Sequence, residues 1–125
     1  MLARLWDEAL AAPPWPGPDV WVHGDLHPAN LLVEAGRLSA VLDFGDLCVG
    51  DPATDLVSGW MLFDGPAREA FRRASGTDDA TWARGRGWAV SISLACLASS
   101  ADNPVIAMVG RRGIDALLAG RRSNS

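Results

Sequence analysis

The chain has 125 residues with 11 basic and 15 acidic side chains, a formal net charge of −4 and 49% hydrophobic content. Every basic residue is Arg, so phosphate-binding schemes that need an invariant Lys within these residues, the P-loop included, are excluded. Mild acidity weighs against nucleic acid as a partner, and the longest apolar stretch, residues 88–98, is too short to span a bilayer.

The length fits one domain over 1–120, followed by a polar, flexible tail over 121–125. Hydrophobic content and six Trp imply a packed core. Cys48 and Cys96 read as reduced core thiols, and the N-terminus is unlike a signal peptide, so a cytoplasmic protein is expected.

Leu2, Leu5, Trp6, Ala9 and Leu10 follow helical spacing and predict an amphipathic helix over 2–12, stopped by Pro13-Pro14. Short β-type runs follow at 20–22, 31–33 and 38–42. Asp51-Pro52 then places a capping carboxylate before Pro at a helix start. Ala53, Leu56, Val57, Trp60 and Met61 make one apolar stripe on the helix expected there. Further helices are predicted over 66–74, 79–99 and 104–119, with Gly76 and Gly120 as stops. The fold class is α+β, a small polar β segment ahead of mostly helical mass. Chemistry is sought in the β segment, because loops on a rigid scaffold carry function.

That segment holds His23, Asp25, His27, Asn30, Asp43, Asp46 and Asp51, including both histidines of the chain. Such a cluster is ordinarily a solvated loop; hairpin geometry argues for more. With Gly36-Arg37 as a two-residue turn, Ala35 faces Leu38 and, counting outward, Asn30 faces Asp43. An amide oxygen and a carboxylate then converge as hard ligands suited to Mg²⁺. Asp25, on the loop entering the hairpin, is placed to accept the proton of a substrate hydroxyl. Base, amide ligand and carboxylate ligand in that order form a phosphoryl-transfer arrangement.

Three blocks carry a resemblance: residues 23–30 (His-Gly-Asp-Leu-His-Pro-Ala-Asn), residues 41–46 (Val-Leu-Asp-Phe-Gly-Asp) and residues 50–56 (Gly-Asp-Pro-Ala-Thr-Asp-Leu). In this order they resemble the aminoglycoside phosphotransferase family, whose catalytic lobe is similar to that of protein kinases. Gly24 replaces the Arg of the kinase His-Arg-Asp pattern, and Asp43-Phe44-Gly45 matches Asp-Phe-Gly. The resemblance implies the mainly helical C-terminal lobe of a kinase-like fold, with a small β-hairpin carrying the site. It implies Asp25 as catalytic base, Asn30 and Asp43 as Mg²⁺ ligands against the phosphates of ATP or GTP, and His23 and Asp55 as structural support. His27 and Asp46 are candidate substrate contacts. The implied acceptor is a hydroxyl on a small molecule, either an aminoglycoside-like antibiotic, which would make the activity a resistance function, or a metabolite.

Kinase-type nucleotide sites also need a Gly-rich cover and a strand Lys from a second lobe. Neither precedes His23, and Gly85-Arg86-Gly87 sits in a helical stretch. The N-terminal nucleotide lobe is expected to be missing, the 125 residues alone inactive, and uncovered apolar surface prone to self-association. Two alternatives stand beside this reading. One is a non-catalytic remnant or binding lobe. The other is a metal-dependent phosphoesterase using His23, Asp25, His27 and Asp43, although no His follows His27 to complete its ligand set.

Overall fold

The computed structural model describes residues 1–122, the last two by their backbone alone. α1 (Leu2–Ala11) buries Leu5 and ends where Ala12 turns extended ahead of Pro13. The β segment comprises β1 (Val20–Val22), β2 (Leu31–Glu34), β3 (Arg37–Val41) and β4 (Cys48–Gly50). β1 pairs antiparallel with β4, and β2 with β3. β4 is a strand that sequence reading missed. It is three residues long and ends in Gly, so it has no visible alternation.

The β2–β3 hairpin forms around a different turn from the one expected. Ala35 (φ 48°) and Gly36 (φ 76°) both lie in the left-handed region, as a type I′ turn requires. Placing Ala there costs roughly 1–2 kcal/mol. Leu32 faces Ala40 while Val33 faces Leu38, so Ser39 is an unopposed bulge residue, its hydroxyl donating to the Leu32 carbonyl at 3.2 Å. Beyond the bulge Leu31 faces Val41, and the Leu42 amide donates to the Asn30 carbonyl at 2.8 Å. Asn30 therefore stands opposite Leu42, not Asp43. Asp43 is one residue past the ladder, where its own φ of 56° turns the chain away.

The helix expected from Ala53 is instead a 3-10 turn, Pro52–Leu56, and then a single-turn α2 (Ser58–Met61). Asp51 caps the 3-10 turn by accepting from the Ala53 amide at 2.9 Å. All five predicted stripe residues are buried all the same. Burial on one face survives the change in pitch because both helix types keep i and i+3 or i+4 together.

α3 (Gly65–Ser75) starts at the Asp64 cap and stops at Gly76 with φ 63°. α4 (Asp79–Ala98) is capped by Asp78, whose carboxylate accepts from the Thr81 amide at 2.7 Å. That bond holds the Asp78 carboxyl below the usual carboxylate range. α5 (Pro104–Arg122) runs straight through Gly120, because Gly ends a helix only where the chain then turns left-handed. Of the tail expected over 121–125, the backbone of Arg121 and Arg122 continues α5, and 123–125 lie outside the described residues.

α4 is the central helix, packed by α1, α5 and the 3-10 turn. Its glycines set the approach distances: a Cβ on Gly87 would meet the Ala9 Cβ at 2.5 Å, and one on Gly85 the Leu56 Cβ at 3.0 Å. Gly85-Arg86-Gly87 is thus a packing device inside a helix. The core gathers Leu5, Val57, Trp60, Met61, Trp82, Val90, Val109 and Leu117. Trp60 and Trp82 meet at 4.7 Å between ring centroids, a contact worth about 0.5–1.5 kcal/mol beyond area burial. Other Trp depart from expectation: Trp6, Trp21 and Trp88 are exposed. Cys48 is exposed on β4 and is not a core thiol, whereas burial pushes the Cys96 thiol up, with a smaller contribution from the Asp25 charge. No described helix is long and apolar enough to cross a membrane.

The α4–α5 crossing yields a stability prediction. A Cβ on Gly110 would lie 2.7 Å from the Ser93 carbonyl oxygen and 3.0 Å from Leu97 Cγ. Helix propensity alone would make Gly110→Ala stabilising by about 1 kcal/mol. Contact with backbone outweighs that, so the expected outcome is destabilisation by about 1–3 kcal/mol, read from denaturant melts. Gly120→Ala, whose added Cβ would meet no described atom within 4 Å beyond its own helical backbone and chain neighbours, serves as the control.

Candidate active site

Two loops, residues 23–30 and residues 42–47, are held side by side because β1 pairs with β4 at one end and β2 with β3 at the other. Gly24 has φ 91°, and a Cβ there would sit 2.7 Å from the Asp46 carbonyl oxygen. Only Gly combines that backbone angle with that approach, so a side chain such as Arg has no room at position 24.

Asp55 fixes the first loop from below. Its Oδ2 accepts from the His23 amide at 2.8 Å and its Oδ1 from the Gly24 amide at 3.0 Å. One residue turn further on, the Ser58 hydroxyl donates to the Leu26 carbonyl at 2.5 Å. Asp55 and Ser58 are three residues apart and so share the face turned to the loop. That spacing was legible in the sequence, yet Ser58 was overlooked.

His23 is buried and ties the loops together. Asp25 donates its amide to His23 Nδ1 at 3.1 Å, which leaves the ring proton on Nε2 to donate to the Leu42 carbonyl at 2.8 Å. The ring also meets Phe44 edge-on at 4.7 Å. With both nitrogens engaged by backbone, His23 presents no lone pair to a metal. This weighs against the phosphoesterase alternative. Among the described residues, no three His, Cys, Asp or Glu side chains converge as a metal cluster.

Asp25 stands between two neighbours. Asn30 Nδ2 donates to the Asp25 carbonyl at 2.8 Å and to its Oδ2 at 3.2 Å. His27 Nε2 lies 3.4 Å from the same Oδ2, and the buried His27 Nδ1 has no partner among the described residues. A bare lone pair is the cheaper orphan, so the ring proton belongs on Nε2, facing the carboxylate. Asp25 Oδ1 accepts no hydrogen bond from the described residues.

His23, Asp25, His27, Asn30 and Asp55 thus form one bonded unit. Asp43 and Asp46 are exposed on the second loop. Asp43 Oδ1 accepts from the Gly45 amide at 3.3 Å, and the Asp46 backbone packs on Gly24. Arg84 is a further support that no sequence signal announced. Its guanidinium clamps the Asp51 carboxylate at 2.7 Å, reaches the Pro13 carbonyl and holds the Thr81 hydroxyl. It locks the connector after α1, α4 and the entry to the 3-10 turn in one place.

The family model described as the phosphotransferase enzyme family matches residues 1–88, seven-tenths of the chain. The uncharacterized protein YcbJ of Bacillus subtilis (strain 168) is 42% identical over 50 residues, which cover 39% of this chain and 16% of YcbJ. The chain therefore spans a small part of the length of that relative. No solved structure matches. The matched span takes in both loops, the Asp55 brace and the Arg84 clamp, and on that extent the chain belongs to the phosphotransferase enzyme family.

Proposed function

We propose that this chain supplies the catalytic loop and metal-binding residues of a kinase-like C-terminal lobe, which moves the γ-phosphoryl group of ATP or GTP to a hydroxyl of a small molecule. The observation that carries the reading is Asp25, held on Oδ2 by Asn30 and His27 with Oδ1 left for an incoming hydroxyl. In this reading Asp25 orients that hydroxyl and accepts its proton. Asp55 and His23 fix the loop backbone, so the carboxylate does not have to be positioned anew in each turnover. His27 steadies Asp25, and Asp46 beside Gly24 faces the acceptor.

The donor chemistry fits Mg²⁺. Asn30 uses its amide nitrogen on Asp25, and among the described residues neither Asn30 Oδ1 nor Asp43 Oδ2 accepts a hydrogen bond. Both are hard oxygens of the kind Mg²⁺ takes in ones and twos beside phosphate. Bound there, Mg²⁺ would neutralise charge on the nucleotide phosphates. Exposed Trp21, Leu32, Val33, Leu38, Phe44 and Val49 leave the β segment with uncovered apolar surface. That surface supports a covering nucleotide lobe, from this polypeptide or another, with self-association as its counterpart when uncovered.

Calorimetric titration with ATP or GTP tests the reading. Saturable binding that requires Mg²⁺ and weakens about tenfold or more in Asp43→Asn is expected. A chain that is folded by circular dichroism yet takes up neither nucleotide would instead favour the non-catalytic lobe.

A further inference from the structure

A cavity of about 640 Å³ opens between α5 and the turn that joins α2 to α3. None of the seven candidate site residues lines it, and its α5 wall lies beyond the residues that the family model matches. Its size and largely apolar walls, Trp60, Phe63 and Met108 among them, are those of small-molecule pockets. It also carries positive charge: Arg68, Arg111 and Arg112 all line it.

Two of these guanidiniums are held in place by backbone. Arg68 donates from Nε to the Gly59 carbonyl at 2.5 Å and from Nη2 to the Phe63 carbonyl at 3.2 Å. Arg112 donates from Nη2 to the Leu62 carbonyl at 2.6 Å. A guanidinium has five N–H donors, so most remain to be used. Among the described residues none of the three has a carboxylate within ion-pair distance, whereas Arg72 and Arg84 do. Two carboxylates share the cavity. Asp64 is committed to the Ala67 amide as the α3 cap, which leaves the exposed Asp115 against three cations. Burial depresses the Arg68 pKa; Asp64 and Glu69 oppose this, and the Arg112 charge adds to it. An anion beside both guanidiniums would offset the cost of burying the Arg68 charge and the repulsion from Arg112.

We propose that this cavity binds a small organic phosphate, its apolar body against Trp60, Phe63 and Met108 and its oxygens on Arg68, Arg111 and Arg112. Planar guanidinium forks are suited to phosphate, and preset ones lose little freedom on binding. The site stands independently of the phosphoryl-transfer reading, since it shares no residue with the Asp25 loop.

Calorimetric titration of the chain with phenyl phosphate, at low ionic strength and without Mg²⁺ or nucleotide, tests it. Expected is saturable one-to-one binding that weakens about tenfold or more in Arg111→Gln/Arg112→Gln. Arg111→Gln alone, which touches no structural hydrogen bond, should weaken binding in the same direction at an unchanged melting temperature. Arg37→Gln, on the distant hairpin, should leave it intact, and benzyl alcohol should bind far more weakly than phenyl phosphate. The proposal fails if the wild-type chain shows no saturable binding. It fails equally if Arg37→Gln matches Arg111→Gln, if the neutral alcohol binds as well, or if Asp43→Asn rather than the arginine variants removes binding.

Discussion

With the nucleotide lobe supplied and phosphotransferase turnover restored, replacing Asp25 by Asn is expected to lower that turnover by about 10²- to 10⁴-fold, the range for losing a positioned general base, which is the role proposed for Asp25. The variant is a fair test because the loop does not hang on the carboxylate. Asn30 keeps its 2.8 Å bond to the residue 25 carbonyl, and the Asp25 amide keeps its bond to His23 Nδ1. Asp55 and Ser58 hold the backbone on either side. Melting temperature should therefore stay close to wild type while the rate falls. The loss should appear in kcat, because a proton acceptor acts as the transition state forms and adds little to ground-state binding. Near-normal kcat at unchanged stability would remove Asp25 from the mechanism.

The candidate site residues stand out in the sequence because they are nearly contiguous and their chemistry is explicit. The geometry joining them was less so. The Asn30–Asp43 pairing rested on a turn at Gly36-Arg37, and the chain turned one residue earlier and added a bulge at Ser39. A bulge residue has no side-chain signature, so alternation alone could not place it. The helix stripe from Ala53 to Met61 predicted burial correctly but not pitch. The carbonyls at its end are met by Arg68 and Arg112, from elements that begin later in the chain. Arg84 and Asp51 lie 33 residues apart, and no local pattern announces such a pair. Exposed Trp21 and Phe44 show the converse limit: apolar character predicts a surface that prefers cover, not which surface covers it.

Asp55→Ala tests what holds the loop. The substitution strips the acceptor from two amides at once, those of His23 and Gly24. A hydrogen bond to a charged group contributes roughly 1.5–3 kcal/mol. Asp55 is only half-buried, so water recovers part of this, and a net loss of about 2–4 kcal/mol is expected. For a domain of this size that corresponds to a drop in melting temperature on the order of 10 °C. Asp55→Asn should fall nearly as far: one oxygen still accepts, but the amide nitrogen confronts the other N–H with no lone pair to offer. Asp46→Ala supplies the contrast, an equal change in charge at an exposed side chain without a hydrogen bond among the described residues, expected within about 0.5 kcal/mol of wild type. If Asp55→Ala melts no lower than Asp46→Ala, the brace contributes nothing to folding. The order of effects also separates charge from geometry, since Asp55 and Asp46 variants change net charge alike. Only the first leaves backbone donors without an acceptor, directly beneath the carboxylate that is proposed to carry the chemistry.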